Sequence, residues 1–274
     1  MLEKIFRKAP AGEMDFLTAN YHTHTTRCKH AWDSEREYVE AAIEMGIRKL
    51  GFSDHVPCTF PDGHVSGIRM DTEQAPEYVE CIRSLEREYR DDIEIFVGFE
   101  AEYIREFFPG QRQQWKDWGI DYCIQGQHFL GPENHSPYAG SPTGDENILR
   151  TYVDLCIEGM QTGSFTYLAH PDLINYRGPE EIYRRHMQRL CLEAKRLGIP
   201  LEVNLLGLSE GKHYPSHRFF ALAAECGNPL ILGLDAHWAD GLRNREAYAK
   251  ASKVLKELGA EVLTDVTLRK PWEE

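Results

Sequence analysis

Short apolar runs alternate with longer helical stretches along most of the chain, and this alternation limits the fold more than any other feature. The runs lie at residues 16–21, 48–53, 93–99, 122–125, 165–169, 200–203 and 230–234. They are rich in Val, Ile, Leu, Phe and Tyr and lack strict polar–apolar alternation, as strands buried on both faces do. Between them, residues 34–46 open with Ser34 as an N-cap, carry Glu37 three positions on, and stop at Gly46, which is the pattern of a capped helix. Residues 71–90, 144–160, 179–197, 216–225 and 243–258 also read as helices, with a weaker helical stretch at 107–117. Strand followed by helix, repeated, implies parallel strands. Seven such units, with no Gly-rich phosphate loop after the first run, predict a closed α/β barrel rather than an open doubly wound sheet. Residues 261–264 form either an eighth strand or a packing tail.

No linker or low-complexity segment divides the chain, so residues 1–274 read as one domain, with 1–15 and 265–274 as peripheral tails. Hydrophobic residues make up 42% and charged residues 27%, enough for a core without staples. Seven scattered cysteines, without a Cys-x-x-Cys pair, point to reduced thiols and a cytoplasmic protein. Residues 1–15 lack the apolar region of a secretory signal, and no apolar run approaches membrane-spanning length. The formal net charge of -13 disfavours long nucleic acid, which demands Lys and Arg contacts to phosphate. It leaves small anionic substrates open, because bound divalent cations reverse the local field.

The ends of the runs carry the chemistry. The first leads into His22 and His24, with His30 in the loop beyond; the second into Asp54 and His55. The third ends at Glu100, the fourth leads to His128 and the fifth to His170. The seventh leads into Asp235 and His237; the sixth ends at Asn204 and is the exception. Two residues one apart on an extended segment point the same way, so His22 with His24, and Asp235 with His237, can reach one ion. A single histidine at a strand end is ordinarily a capped or solvated residue. Here seven of the twelve histidines fall at or just past strand ends, on the face where barrel active sites form. Imidazole and carboxylate donors suit zinc, iron or manganese, and nine candidate ligands imply two or three divalent ions. Loops at 56–70, 130–143 and 205–215 rise on the same face. His186, within a helix, reads as a surface residue.

Taken in order, His22-Thr-His24 with His30, Phe52-Ser-Asp54-His55, Gly98-Phe-Glu100, Gly126-Gln-His128, Ala169-His170-Pro171-Asp172 and Asp235-Ala-His237 resemble the polymerase-and-histidinol-phosphatase (PHP) family. The resemblance implies a distorted seven-stranded (β/α) barrel with a trinuclear site. One ion would take His22, His24, Glu100 and Asp235. A second would share Glu100 and add His128 and His170; a third would take His30, His55 and His237.

Within the family, the chain looks most like the histidinol-phosphatase branch, which implies hydrolysis of a phosphate monoester, L-histidinol phosphate, in histidine biosynthesis. Glu100 would then set the spacing of two ions. Asp235 would orient the nucleophile or accept its proton, and His237 or His30 would lie near the leaving oxygen. That branch commonly carries a basic residue after the Gly-Leu of the sixth loop. Here Gly207-Leu208 is followed by Ser209 and Glu210, with Lys212 later. Arg69 and Arg177 are the candidate phosphate-binding residues, because a guanidinium matches phosphate bidentately. Two other readings are a phosphodiesterase or nucleotide phosphatase of the same family, and a non-enzymatic metal-binding module.

Overall fold

The computed structural model describes residues 16–273; the expected tail at 1–15 lies outside them. The apolar runs become parallel strands: β1 (Ala19–Asn20), β2 (Lys49–His55), β3 (Glu94–Ala101), β4 (Tyr122–Gln125), β5 (Leu201–Asn204), β6 (Leu230–Gly233) and β7 (Val262–Leu263). They pair in the orders β1-β2-β3-β4 and β5-β6-β7.

The fifth run forms no regular strand, yet it spans the gap between the two sheets. Thr166 N and Ala169 N donate to Cys123 O and Gln125 O on one side, and Glu202 N donates to Leu168 O on the other. Opposite, Thr23 bridges Ala236: His24 N donates to Ala236 O at 2.8 Å and Ala236 N to His22 O at 3.2 Å. The ring therefore closes as a distorted parallel barrel of the expected type. β7 pairs with β6 at its foot, Leu230 against Val262, so residues 261–264 do contribute a short strand.

The helices pack outside: α1 (Glu35–Met45), α2 (Ala75–Tyr89), α3 (Phe108–Trp118), α4 (Glu146–Gln161), α5 (Glu180–Leu197), α6 (Leu205–Ser209), α7 (His217–Cys226) and α8 (Arg245–Glu257). The Ser34–Glu37 capping box is present, and Gly46 ends α1 at φ 79°, a left-handed conformation that costs glycine nothing. Among the described residues no helix is long and apolar enough to cross a membrane.

Period-two alternation, hidden at the level of composition, sorts the strand side chains. Ile95, Val97 and Phe99 join the outer core with helix residues such as Tyr78 and Ile82. Tyr21, Tyr122, Ile124, Tyr167 and Ile231 fill the inside, with Phe96 packed against them. Phe96, Gly98 and Glu100 thus share the inner face of β3, and Glu100 ends that row. Gly98 is needed there, because a Cβ would overlap the Tyr122 ring and carbonyl. The last residues run across the foot of the barrel. Asp265 accepts from Tyr21 Oη at 2.5 Å and Lys49 Nζ at 2.6 Å, and Arg269 N donates to Thr166 Oγ1 at 3.2 Å.

Candidate metal centre

The barrel's open end gathers all nine candidate ligands. Glu100 is the hub. Its Oε2 lies 3.5 Å from His22 Nε2, 3.5 Å from His24 Nε2 and 3.0 Å from His55 Nδ1. Its Oε1 lies 3.3 Å from His128 Nε2 and 2.6 Å from His170 Nε2. Asp235 Oδ1 lies 3.3 Å from His22 Nε2 and 3.1 Å from His24 Nε2. These spacings suit donors around a common ion: a tetrahedral zinc with ligands at about 2.0–2.1 Å has ligand–ligand edges of about 3.3–3.4 Å.

The ring tautomers point the same way. His22 donates Nδ1–H to Glu202 Oε1 at 2.7 Å, and His128 donates Nδ1–H to Glu102 Oε1 at 3.2 Å. His30 Nδ1 bonds Cys28 O at 2.6 Å, and His237 Nδ1 bonds Asp235 O at 3.0 Å. Each contact leaves Nε2 as the free lone pair. The Nε2 atoms of His30 and His237 then face one another 3.0 Å apart, an arrangement that calls for a cation between them. His22 Nε2, both nitrogens of His24, and Asp235 Oδ1 are buried without a hydrogen-bond partner. Buried polar atoms are normally satisfied, so these fit the same explanation. Three-residue sets able to hold an ion include His22, His24 and Asp235; His22, Glu100 and His170; and His24, His55 and His237.

Electrostatics follow the packing. Burial holds His24 well below its ordinary pKa and His55 down to about 4, with the neighbouring imidazoles adding to it at His24. Neutral imidazole is the ligating form; at His22 and His128 burial acts the same way, but the facing carboxylates outweigh it and raise both. Burial would raise Glu100 and Asp235, but the surrounding imidazoles hold both carboxyls well below the usual range. His170 and Asp235 sit at φ 29° and 49°. Such left-handed backbone costs a non-glycine residue about 1–3 kcal/mol. It is held by His170 N donating to Glu202 Oε2 at 3.0 Å and by Asn204 Nδ2 donating to Asp235 Oδ2 at 3.0 Å.

Neither candidate arginine reaches this mouth. Arg69 is buried. Its guanidinium is committed to Glu102 at 2.9 and 3.0 Å, to Glu133 at 2.8 Å and to Val56 O at 3.1 Å. It steadies Glu102, and through it the His128 ring, rather than facing substrate. Arg177 lines a neighbouring cavity of about 360 Å³ with Asp172, His213 and Arg218. His186 is buried on α5, its Nε2 3.0 Å from Glu146 Oε1, and is no surface residue.

Glu202 and Glu102 are the supporting residues that strand-end reasoning passed over, and Asn204 is the strand end to which it gave no role. A period-two reading of their strands would have placed Glu202 and Glu102 on the same inward rows as Asn204 and Glu100. Above the ligands opens a cavity of about 460 Å³, whose rim includes Trp32, Tyr138, Glu210, Lys212, Tyr214 and Trp238.

The chain is similar to known proteins along most of its length. The PHP domain model matches residues 20–205. A probable histidinol-phosphatase of Deinococcus radiodurans is 31% identical over 260 residues, covering 89% of this chain and 94% of that protein. A histidinol-phosphatase of Bacillus subtilis is 27% identical over 253 residues, covering 80% and 92%. The crystal structure of histidinol phosphate phosphatase from Lactococcus lactis, complexed with zinc, L-histidinol and phosphate, superposes with a TM-score of 0.70 at 22% identity, covering 91% of this chain and 98% of that one. With a family model matched over most of its length and a relative aligned nearly end to end, the chain belongs to the PHP domain family.

Proposed function

We propose that the chain is a metal-dependent phosphate monoester hydrolase acting on L-histidinol phosphate, releasing L-histidinol and phosphate. The observation that carries the reading is the hub geometry of Glu100, whose two oxygens face two different sets of imidazoles, in a chain similar along its length to histidinol-phosphatases.

His22, His24, Glu100 and Asp235 would hold one ion; Glu100, His128 and His170 a second; His30, His55 and His237 a third. When bound, such ions supply charge for the phosphate oxygens and a water acidified to near neutrality. Zinc, iron and manganese all suit these donors.

The chain's own groups do the rest. Glu100 fixes the separation of the two ligand sets. Asp235, anchored through Oδ2 to Asn204, turns Oδ1 toward His22 and His24, where it would complete the first donor set and orient the attacking water. His237 and His30 line the cavity wall, where the leaving oxygen would depart. A cavity of about 460 Å³ suits a small phosphorylated molecule rather than a polymer, and the net charge of -13 supports the same choice. Seven free cysteines support a reducing compartment, so the reading places the enzyme in the cytoplasm.

The test is phosphate release from L-histidinol phosphate, a nucleoside bisphosphate and a chromogenic diester by protein loaded with zinc, manganese or iron. The first should be the preferred substrate, and His22→Ala should lose both metal and turnover. Full turnover in a His22→Ala protein with full metal content would sink the assignment.

A further inference from the structure

Lys212 is the only Lys or Arg among the described residues that line the metal-facing cavity. Its Nζ lies 2.9 Å from Glu210 Oε2, and both side chains are about half-exposed at the rim. One opposite-charge pair therefore stands at the mouth of a cavity whose floor is built of ligands.

The pair is fixed relative to that floor. Asn204 ends β5 and accepts from Gly207 N at 2.9 Å through Oδ1, while its Nδ2 reaches Asp235. Glu210 N donates to Leu206 O and Lys212 N to Gly207 O, both at 2.9 Å, with Gly211 turning the chain at φ 65°. The same asparagine thus anchors Asp235 and the loop carrying Glu210 and Lys212. Tyr138 and Tyr214 line the same cavity as Glu210, Lys212, Glu100 and Asp235. The rim pair and the carboxylates of the floor therefore flank the same space.

We propose that the Glu210–Lys212 pair selects phosphate monoesters bearing an ammonium on the carbon beside the esterified one. Lys212 takes a phosphate oxygen turned away from the floor, and Glu210 takes the ammonium. This rests on the phosphatase reading above and deepens it. In such a substrate the anion and cation are neighbours, as Lys212 and Glu210 are. Binding exchanges one rim ion pair for two charge-assisted contacts, and no charge is left alone. An ester without the ammonium forgoes the contact with Glu210, and the loss of that charge-assisted contact sets the discrimination.

The experiment is steady-state kinetics of the full-length, metal-loaded protein on L-histidinol phosphate and its amine-free analogue, imidazolylpropyl phosphate. Para-nitrophenyl phosphate reports general monoesterase activity, and metal content and thermal stability are recorded for each variant. E210Q should cut the preference for the amine-bearing ester about tenfold, through KM. K212M should raise KM for both esters about tenfold, and K212R should restore it. A wild-type preference in E210Q, or unchanged KM values in K212M, overturns the inference while leaving the phosphatase reading intact. A wild-type protein with bound metal that hydrolyses none of the three esters overturns that reading, and the inference falls with it.

Discussion

The Nδ1 of His22 sits 2.7 Å from Glu202 Oε1, and this contact commits Nε2 to the space shared with Glu100 and Asp235. Glu202 does the same kind of service for His170, accepting from its backbone N at 3.0 Å. Glu202→Gln should keep the fold but lose 10–100-fold in metal affinity, about the usual cost of removing such an outer partner. Chelator competition measures it; an unchanged affinity would show that His22 needs no such orientation.

Gly126 packs so close to Glu100 that a Cβ there would overlap Oε1 of the carboxylate. Gly126→Ala should displace the hub of the site. A misplacement on the order of 1 Å costs about a hundredfold in rate, so kcat should fall by at least that factor, with less metal retained per chain. Metal analysis alongside turnover checks both.

The barrel and the gathering of candidate ligands at its mouth were readable because strands buried on both faces announce themselves as apolar runs, and because His22, His24 and Asp235 stand at the ends of such runs. What escaped depended on partners distant in sequence. Arg69 looked free to hold phosphate because nothing local reveals that Glu102 and Glu133 close around it. The fifth run satisfies its backbone with bonds to both neighbours that build only isolated bridges instead of a regular ladder, a distinction composition does not carry. α6 is five residues long, too short for periodicity to show, and Asn204 seeds it through a side-chain bond to Gly207 N.

Arg69→Met removes the counter-charge of buried Glu102. Leaving one buried partner uncompensated costs about 3–5 kcal/mol, visible in urea unfolding at neutral pH. Burial would raise Glu102, but Arg69 and His128 hold its carboxyl far below the usual range. A depressed carboxyl stabilises the fold fully above its unfolded pKa of about 4.3 and loses that contribution as pH falls below it. Arg69→Met should therefore flatten the acid limb of the stability curve. A variant with wild-type stability and a raised KM would mean that Arg69 serves substrate after all.

Cys226 is the thiol to label. The neighbouring Cys191 thiol lowers it to about 7, whereas burial raises Cys28, Cys58, Cys81, Cys123 and Cys156. Thiolate is the reactive form. Brief iodoacetamide treatment at neutral pH, read by peptide mass spectrometry, should modify Cys226 first; uniform labelling would count against the assignment.

The bridge from Thr23 to Ala236 has a consequence for the order of events during synthesis. It joins the beginning of the winding path to its end, and the donors His22, His24 and Asp235 flank it. A ribosome has to deliver β6 before the first donor set is complete. Before that moment, His22, His24 and Glu100 would offer a nascent chain three of the four donors. The first donor set therefore completes only when the seam closes, whereas Glu100, His128 and His170 have all emerged before β6 is made.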